Sequence, residues 1–322
     1  MNCNQLKLHE PKLLIEIESF TKRMIDESLK REDLPELVRL LNNFEQIYSC
    51  NHVYADYIGL FEFLANHQFH SFKQMQDGSY TYASLLEIGD QLLDHFSWSF
   101  QVHKPKVSSD LNQYKHRTKN RLEELQIRVD KLFHRYSRNL VVRVDLKYRD
   151  INQDVVDIEM FRKHVRKLCS RMTNKDTCFK NLKFYAWCLE QAPLGSYHVH
   201  LYLMYDGSTS TYDCKLARWV GRVWMDDITE GLGYYWNCHT RKGADEDNED
   251  DNTKSENTYI TKEVKNYKYL NGLGMIKRDD PRGLERLNAV YSYLASVTDA
   301  KINQRLRVHV KGMRAFGYSK VK

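Results

Sequence analysis

His198 and His200 stand two residues apart in Tyr197-His198-Val199-His200-Leu201-Tyr202-Leu203. The alternation with aliphatic residues reads as a β-strand, and a strand places residues i and i+2 on one face. Both imidazoles then point the same way, while Val199, Leu201 and Leu203 point into a core. Two imidazoles held at a fixed separation can ligate a divalent metal ion, and such an ion can promote chemistry on a phosphodiester. With 13 histidines in 322 residues, a His-x-His pair arises by chance roughly 0.5 times. The pair therefore gains meaning only from its surroundings. The alternative is a half-buried strand carrying two hydrogen-bonded histidines.

A divalent cation takes more than two ligands. Glu190 lies eight residues before His198, just ahead of the turn Ala192-Pro193-Leu194-Gly195. Strand parity groups it with Cys188 and Ala186, opposite Trp187 and Leu189, which read as core. Glu190 can thus share the histidine face as a third ligand. A surface glutamate flanking a turn is the alternative, and Gln191 is a weaker substitute. Two imidazoles and a carboxylate suit Mg²⁺ or Mn²⁺ acting as a Lewis acid. Phosphodiester cleavage also needs a nucleophile, and tyrosine can supply one through a covalent phosphotyrosine intermediate. Tyr291 and Tyr293 lie in Val290-Tyr291-Ser292-Tyr293-Leu294-Ala295-Ser296, in a segment of helical pattern. Each falls about 80° from the centre of the apolar stripe, on opposite sides. Periodicity does not choose between them, and a structural role at the border of the core is the alternative.

The elements that must position these groups divide the chain in two. Up to about residue 136 the apolar pattern is helical, through Leu13, Leu14, Ile17, Phe20 and Met24 and again through Leu37, Leu40, Leu41 and Phe44. A charged helix is predicted over 111–136, and no strand alternation precedes residue 139. The character then changes. Leu140, Val142, Val144 and Leu146 share one face of a strand, and Arg143, Asp145 and Lys147 share the other. Helices are predicted over 157–172, 213–228 and 283–298, and strands over 183–190, 197–203 and 233–237. The expected architecture is α+β, with an N-terminal all-helical domain (1–136) followed by an antiparallel-sheet domain (137–322). Helices would cover one sheet face and leave a polar face open.

Composition narrows the function. The seven cysteines form no Cys-x-x-Cys pair, which fits reduced thiols rather than disulfides or a zinc site. No apolar run approaches the roughly 18 residues that span a bilayer, and the first residues lack a signal-peptide core. The expectation is a cytoplasmic protein without a membrane partner. The net charge of +6 is uneven. Residues 101–150 carry 13 Lys/Arg against 6 Asp/Glu, and residues 301–322 carry seven Lys/Arg and no acid. Residues 244–256 are acidic and read as a solvated loop. Basic clusters favour polyanions, and nucleic acid is the expected one.

Three stretches resemble a known family. Val142-Arg143-Val144-Asp145-Leu146, then His198-Val199-His200 with Glu190 upstream, then Ser292-Tyr293-Leu294-Ala295 followed by Arg314-Ala315-Phe316-Gly317-Tyr318-Ser319 are similar to the HUH endonucleases. More closely, the chain resembles the prophage YagK/YfjJ C-terminal domain and the related inovirus-type replication endonucleases. The likeness covers roughly 135–320. It implies an HUH-type, RRM-like sheet and selects Tyr293 as the nucleophile. It also implies a nickase that acts on single-stranded origin DNA, leaving a 5′-phosphotyrosine and a free 3′-OH for rolling-circle replication of a phage, prophage or plasmid. A host helicase or polymerase would follow as partner. Arg143, Asp145, Lys147 and Arg314 would lie along the DNA, and Tyr234, Tyr235 and Trp236 would stack bases or belong to strand core. One departure stands out: the family lysine three residues after the tyrosine is Ser296 here, and Lys301 matches the next one. That departure keeps a non-catalytic DNA-binding prophage regulator as an alternative. A relaxase or a single-tyrosine transposase is another.

Overall fold

A computed structural model describes residues 9–76, 79–192, 195–239, 272–294 and 302–320. Helix α1 (Glu10–Asp26) opens with Pro11 in its first turn, where the missing N–H costs nothing. It packs with α2 (Leu34–Ile47), α3 (Asp56–His67) and α4 (Asp90–Val102). Three short strands intervene: β1 (His52–Tyr54), β2 (Gln74–Gln76) and β3 (Ser79–Thr81). They are too brief to register as alternation, so the expectation of no strand before residue 139 is corrected. Helix α5 (Lys104–Arg135) is longer than its apolar pattern suggests. Its C-terminal half buries Leu125, Val129, Leu132 and Phe133, and most of its remaining surface is polar.

The sheet follows. Strand β4 (Arg138–Tyr148) leads to α6 (Ile158–Asn174), then β5 (Leu182–Gln191) and β6 (Tyr197–Asp206). Helix α7 (Asp213–Arg222) continues through a π-helical turn (Val223–Ile228) to β7 (Gly233–Asn237). Asp157 caps α6 by accepting the Met160 amide at 2.8 Å. Gly221 lets α7 sit directly on β7, because a Cβ there would lie 2.2 Å from the Tyr235 ring. The described chain ends with β8 (Gly274–Lys277), α8 (Gly283–Leu294), β9 (Val308–Val310) and β10 (Phe316–Tyr318). All pairings are antiparallel, in the order β10-β5-β6-β4-β7. β8 extends the outer edge of β4 beyond β7. The acidic run 244–256 lies outside the described residues.

Both sheet faces are covered, which corrects the expectation of an open polar face. One face packs Leu140, Val142, Val144 and Leu146 against α6, α7 and the N-terminal helices in a single cluster. The other packs Val141, Ala186, Tyr202 and Met204 against Leu125 and Val129 of α5 and Leu287 and Leu294 of α8. Among the described residues no helix is long and apolar enough to cross a membrane.

The N-terminal helices and the C-terminal segment are joined by buried charge. β1 pairs with β9. Glu18 of α1 accepts Arg305 Nη2 at 3.0 Å and also bonds Arg307, while Arg305 Nε reaches Asp56 at 2.5 Å. Arg305 and Arg307 are 3% and 4% exposed. Two of the seven C-terminal cations are therefore structural and unavailable to nucleic acid. Burial works against ionisation of Glu18, but Arg305, Arg307 and Lys22 outweigh it and bring its pKa down from 4.5 to about 2. A depressed carboxylate stabilises the fold above its ordinary pKa and loses that contribution as pH falls toward the folded value. Glu18→Gln is expected to lower stability by about 3 kcal/mol near neutral pH. In urea melts the gap to wild type should shrink steadily as pH is lowered from 5 toward 2; a pH-independent gap would contradict the assignment.

Candidate metal centre

Strand register, rather than any loop, assembles the site. Glu190 of β5 pairs with His198 of β6, Cys188 with His200, and His200 in turn with Asp145 of β4. Directly opposed residues project from one face, so three strands deliver these side chains together. His200 Nε2 lies 3.0 Å from Glu190 Oε2, and His198 Nε2 lies 3.5 Å from the same oxygen. The two imidazole centroids are 4.8 Å apart with the rings nearly perpendicular. All three residues are buried. Among the described residues they form the one group of three or more His, Cys, Asp or Glu whose ligand atoms all lie within 4.8 Å of one another.

The second ring nitrogen of His200 is held separately. Its Nδ1 lies 2.8 Å from Asp145 Oδ1. Asp145 is gripped in two-point fashion by Arg143, whose Nε and Nη2 donate at 3.0 and 2.8 Å. The Arg143 guanidinium also lies 5.6 Å from the centroid of the Tyr202 ring. Burial alone would raise the Asp145 pKa, but Arg143 and His200 outweigh it and hold the carboxyl well below its ordinary range. Burial pushes His198 below the usual imidazole range, with His200 and Lys147 acting the same way and Glu190 opposing. A neutral His198 keeps a lone pair for a metal. The backbone of Arg143 falls where β7 and β8 leave the β4 edge uncovered. Its amide donates to His239 Nε2 at 3.0 Å, and His239 Nδ1 is fixed by Asp213 at 2.9 Å.

The donor set fits a divalent ion. Two carboxylates bracket His200, one at each ring nitrogen. With an ion bound by His200 and Glu190, the His200 Nδ1–H would donate to Asp145, as in carboxylate–histidine–metal sites. His198, His200 and Glu190 would hold the ion.

Arg143 and Asp145 are 2% and 8% exposed. Their assignment as DNA contacts is corrected: each neutralises the other, and together they orient His200. Lys147 is half-buried on the His198 side, and Arg314 is exposed between β9 and β10. Gln191 is buried and bonds the Pro11 carbonyl at 2.8 Å, away from a ligand role. Tyr235 is buried core, whereas Tyr234 and Trp236 stand half-buried opposite Lys147 and Asp145. Tyr291 and Tyr293 fall in α8, but their side chains lie outside the described residues, as do Ser296 and Lys301. Sequence reasoning missed Tyr114 of α5, whose hydroxyl feels Cys188 and Glu190. Its helical spacing to Arg121 and Arg128 was the available signal.

With this geometry in place, the chain belongs to the YagK/YfjJ C-terminal domain family, whose sequence model matches residues 103–264. The match takes in α5, β4 and the three candidate ligands, and ends before α8. No curated protein and no solved structure matches the chain.

If Asp145 fixes His200 for metal binding, Asp145→Asn should weaken Mn²⁺ binding about 10- to 100-fold. Isothermal titration at constant pH would read this, and unchanged affinity would show that His200 needs no such support.

Proposed function

We propose that this chain is a metal-dependent endonuclease of the HUH type that nicks single-stranded origin DNA to start rolling-circle replication of a phage, prophage or plasmid. The observation that carries the reading is the buried Glu190–His198–His200 cluster, with His200 oriented by Asp145. Two further features support it. The order β4-α6-β5-β6-α7-β7, with β5 and β6 on one side of β4 and β7 on the other, is the arrangement expected of an RRM-like sheet. Helix α8, which carries Tyr293, packs through Leu287 and Leu294 on the sheet face that bears the cluster.

Mg²⁺ or Mn²⁺ held by the cluster would polarise the scissile phosphate and offset its developing charge. The remaining work belongs to the chain. The Tyr293 hydroxyl attacks phosphorus, the bond from phosphorus to the 3′-oxygen breaks, and the phenolic proton leaves to solvent while the departing 3′-oxygen is protonated. The products are a 5′-phosphotyrosine and a free 3′-OH, which a polymerase can extend. Lys301 would neutralise the phosphate in the role that Ser296 cannot fill. Asp145 and Arg143 keep His200 in place throughout.

Ser296 at the motif lysine position favours one second reading, a DNA-binding regulator with the same fold and no cleavage. The two separate in one experiment. Incubation with origin-containing single-stranded DNA and Mn²⁺ should yield a covalent adduct on denaturing gels. Tyr293→Phe and EDTA should each abolish it, and Tyr291→Phe should leave it. An equal adduct from Tyr293→Phe would refute the nucleophile, and salt-sensitive binding without an adduct under any metal would favour the regulator.

A further inference from the structure

Helix α5 steps along the site face at intervals of seven residues. The Arg128 guanidinium lies 4.4 Å from the Tyr318 ring centroid, and Arg121 lies 5.8 Å from that of Phe316. Tyr318 pairs with Ala186 on β5, and Phe316 pairs with Cys188. The two contacts, about 10.5 Å apart along α5, thus fall on rings whose β5 partners are two residues apart. Tyr114 lies a further seven residues back along α5, and Glu190 follows Cys188 on the same face of β5. Burial, then Cys188 and Glu190, raise the Tyr114 pKa to about 12, so its hydroxyl lies within reach of both charges. Arg117 lies on the same side of the helix, within an arc of about 60° from Tyr114 through Arg121. Both arginines act on His309 of β9, which burial and their charge push down to about 4. Tyr114 and Arg121 are half-buried and Arg117 is exposed. The strip thus presents two guanidinium groups and a phenol beside a metal centre whose sheet-borne cation, Arg143, is already committed to Asp145.

We infer that the α5 face bearing Tyr114, Arg117 and Arg121 is the wall along which the backbone of single-stranded DNA reaches the Glu190–His198–His200 centre. Arg117 and Arg121 each neutralise a phosphate, and the Tyr114 hydroxyl donates a hydrogen bond to a phosphate oxygen at the Glu190 end of the strip. The inference rests on the endonuclease reading for its substrate. It concerns binding rather than chemistry, so it can be tested without cleavage.

The test is the salt dependence of binding by the full chain to a mixed-sequence single-stranded oligodeoxynucleotide, in EDTA. Each lost phosphate contact reduces the slope of log K against log salt by about 0.7. Arg117→Gln/Arg121→Gln should lower the slope by about 1.4. Arg117→Lys/Arg121→Lys, which keeps the charge, should restore it and so separates charge from folding. Lys115→Gln/Lys119→Gln, on the far side of the same helix, should leave it unchanged. Tyr114→Phe should keep the slope and weaken binding about tenfold, as for one hydrogen bond to a charged group. An unchanged slope in the arginine double variant, or an equal drop in the lysine control, would overturn the strip. Unchanged affinity in Tyr114→Phe would overturn the role of that hydroxyl. If wild type binds with these slopes yet never forms an adduct, the strip stands and the endonuclease reading falls.

Discussion

One imidazole held between two carboxylates organises this protein. His200 reaches Asp145 with one ring nitrogen and Glu190 with the other, at 2.8 and 3.0 Å. Both carboxylates come from neighbouring strands, so the contact exists only in one register of β5, β6 and β4. A slip of one residue would send the whole set to the opposite face. The aliphatic residues between the site residues fix that register. Val199, Leu201 and Leu203 fill one core while His198 and His200 stay on the other face. Packing and chemistry are thus two readings of the same alternation.

The helices around the sheet serve the same centre. α5 and α8 enclose the site face through a second core. Arg143 is the device that makes such an enclosed centre tolerable, since a buried carboxylate is costly unless paired and hydrogen-bonded. The N-terminal helices reach the site through Glu10, which accepts the Tyr197 hydroxyl at 2.6 Å and the Ile158 amide at 3.0 Å. Glu10 thereby ties α1 both to the residue before His198 and to the start of α6. Glu18 ties the same helix to the segment that leads into β9 and β10. One hydrophobic cluster runs from α1 through the sheet.

Much of this was legible in the sequence, for identifiable reasons. The helices of the sheet region and the strands β4 to β7 have strong periodicity, and parity alone put Glu190 on the histidine face. What failed did so because it depends on contacts distant in sequence. Arg143 and Asp145 alternate with aliphatic residues, and that pattern suits a solvated face; only the packing of α5 and α8 reveals the face to be covered. Arg305 and Arg307 read as a basic tail until Glu18, nearly three hundred residues away, supplies their partner. Strands of three or four residues such as β8, β9 and β10 carry too few side chains for alternation to register. Tyr114 shares a seven-residue spacing with Arg121 and Arg128, but that spacing does not show that Cys188 and Glu190 act on its hydroxyl.

The central claim is that Glu190, His198 and His200 hold a divalent ion together. Anomalous diffraction from a crystal grown with Mn²⁺ tests it most directly. The account predicts one strong peak bounded by the two Nε2 atoms and a Glu190 carboxylate oxygen, with His200 Nδ1 still on Asp145. An absence of anomalous density there, with Glu190 remaining bonded to His200 in the presence of the metal, would contradict it.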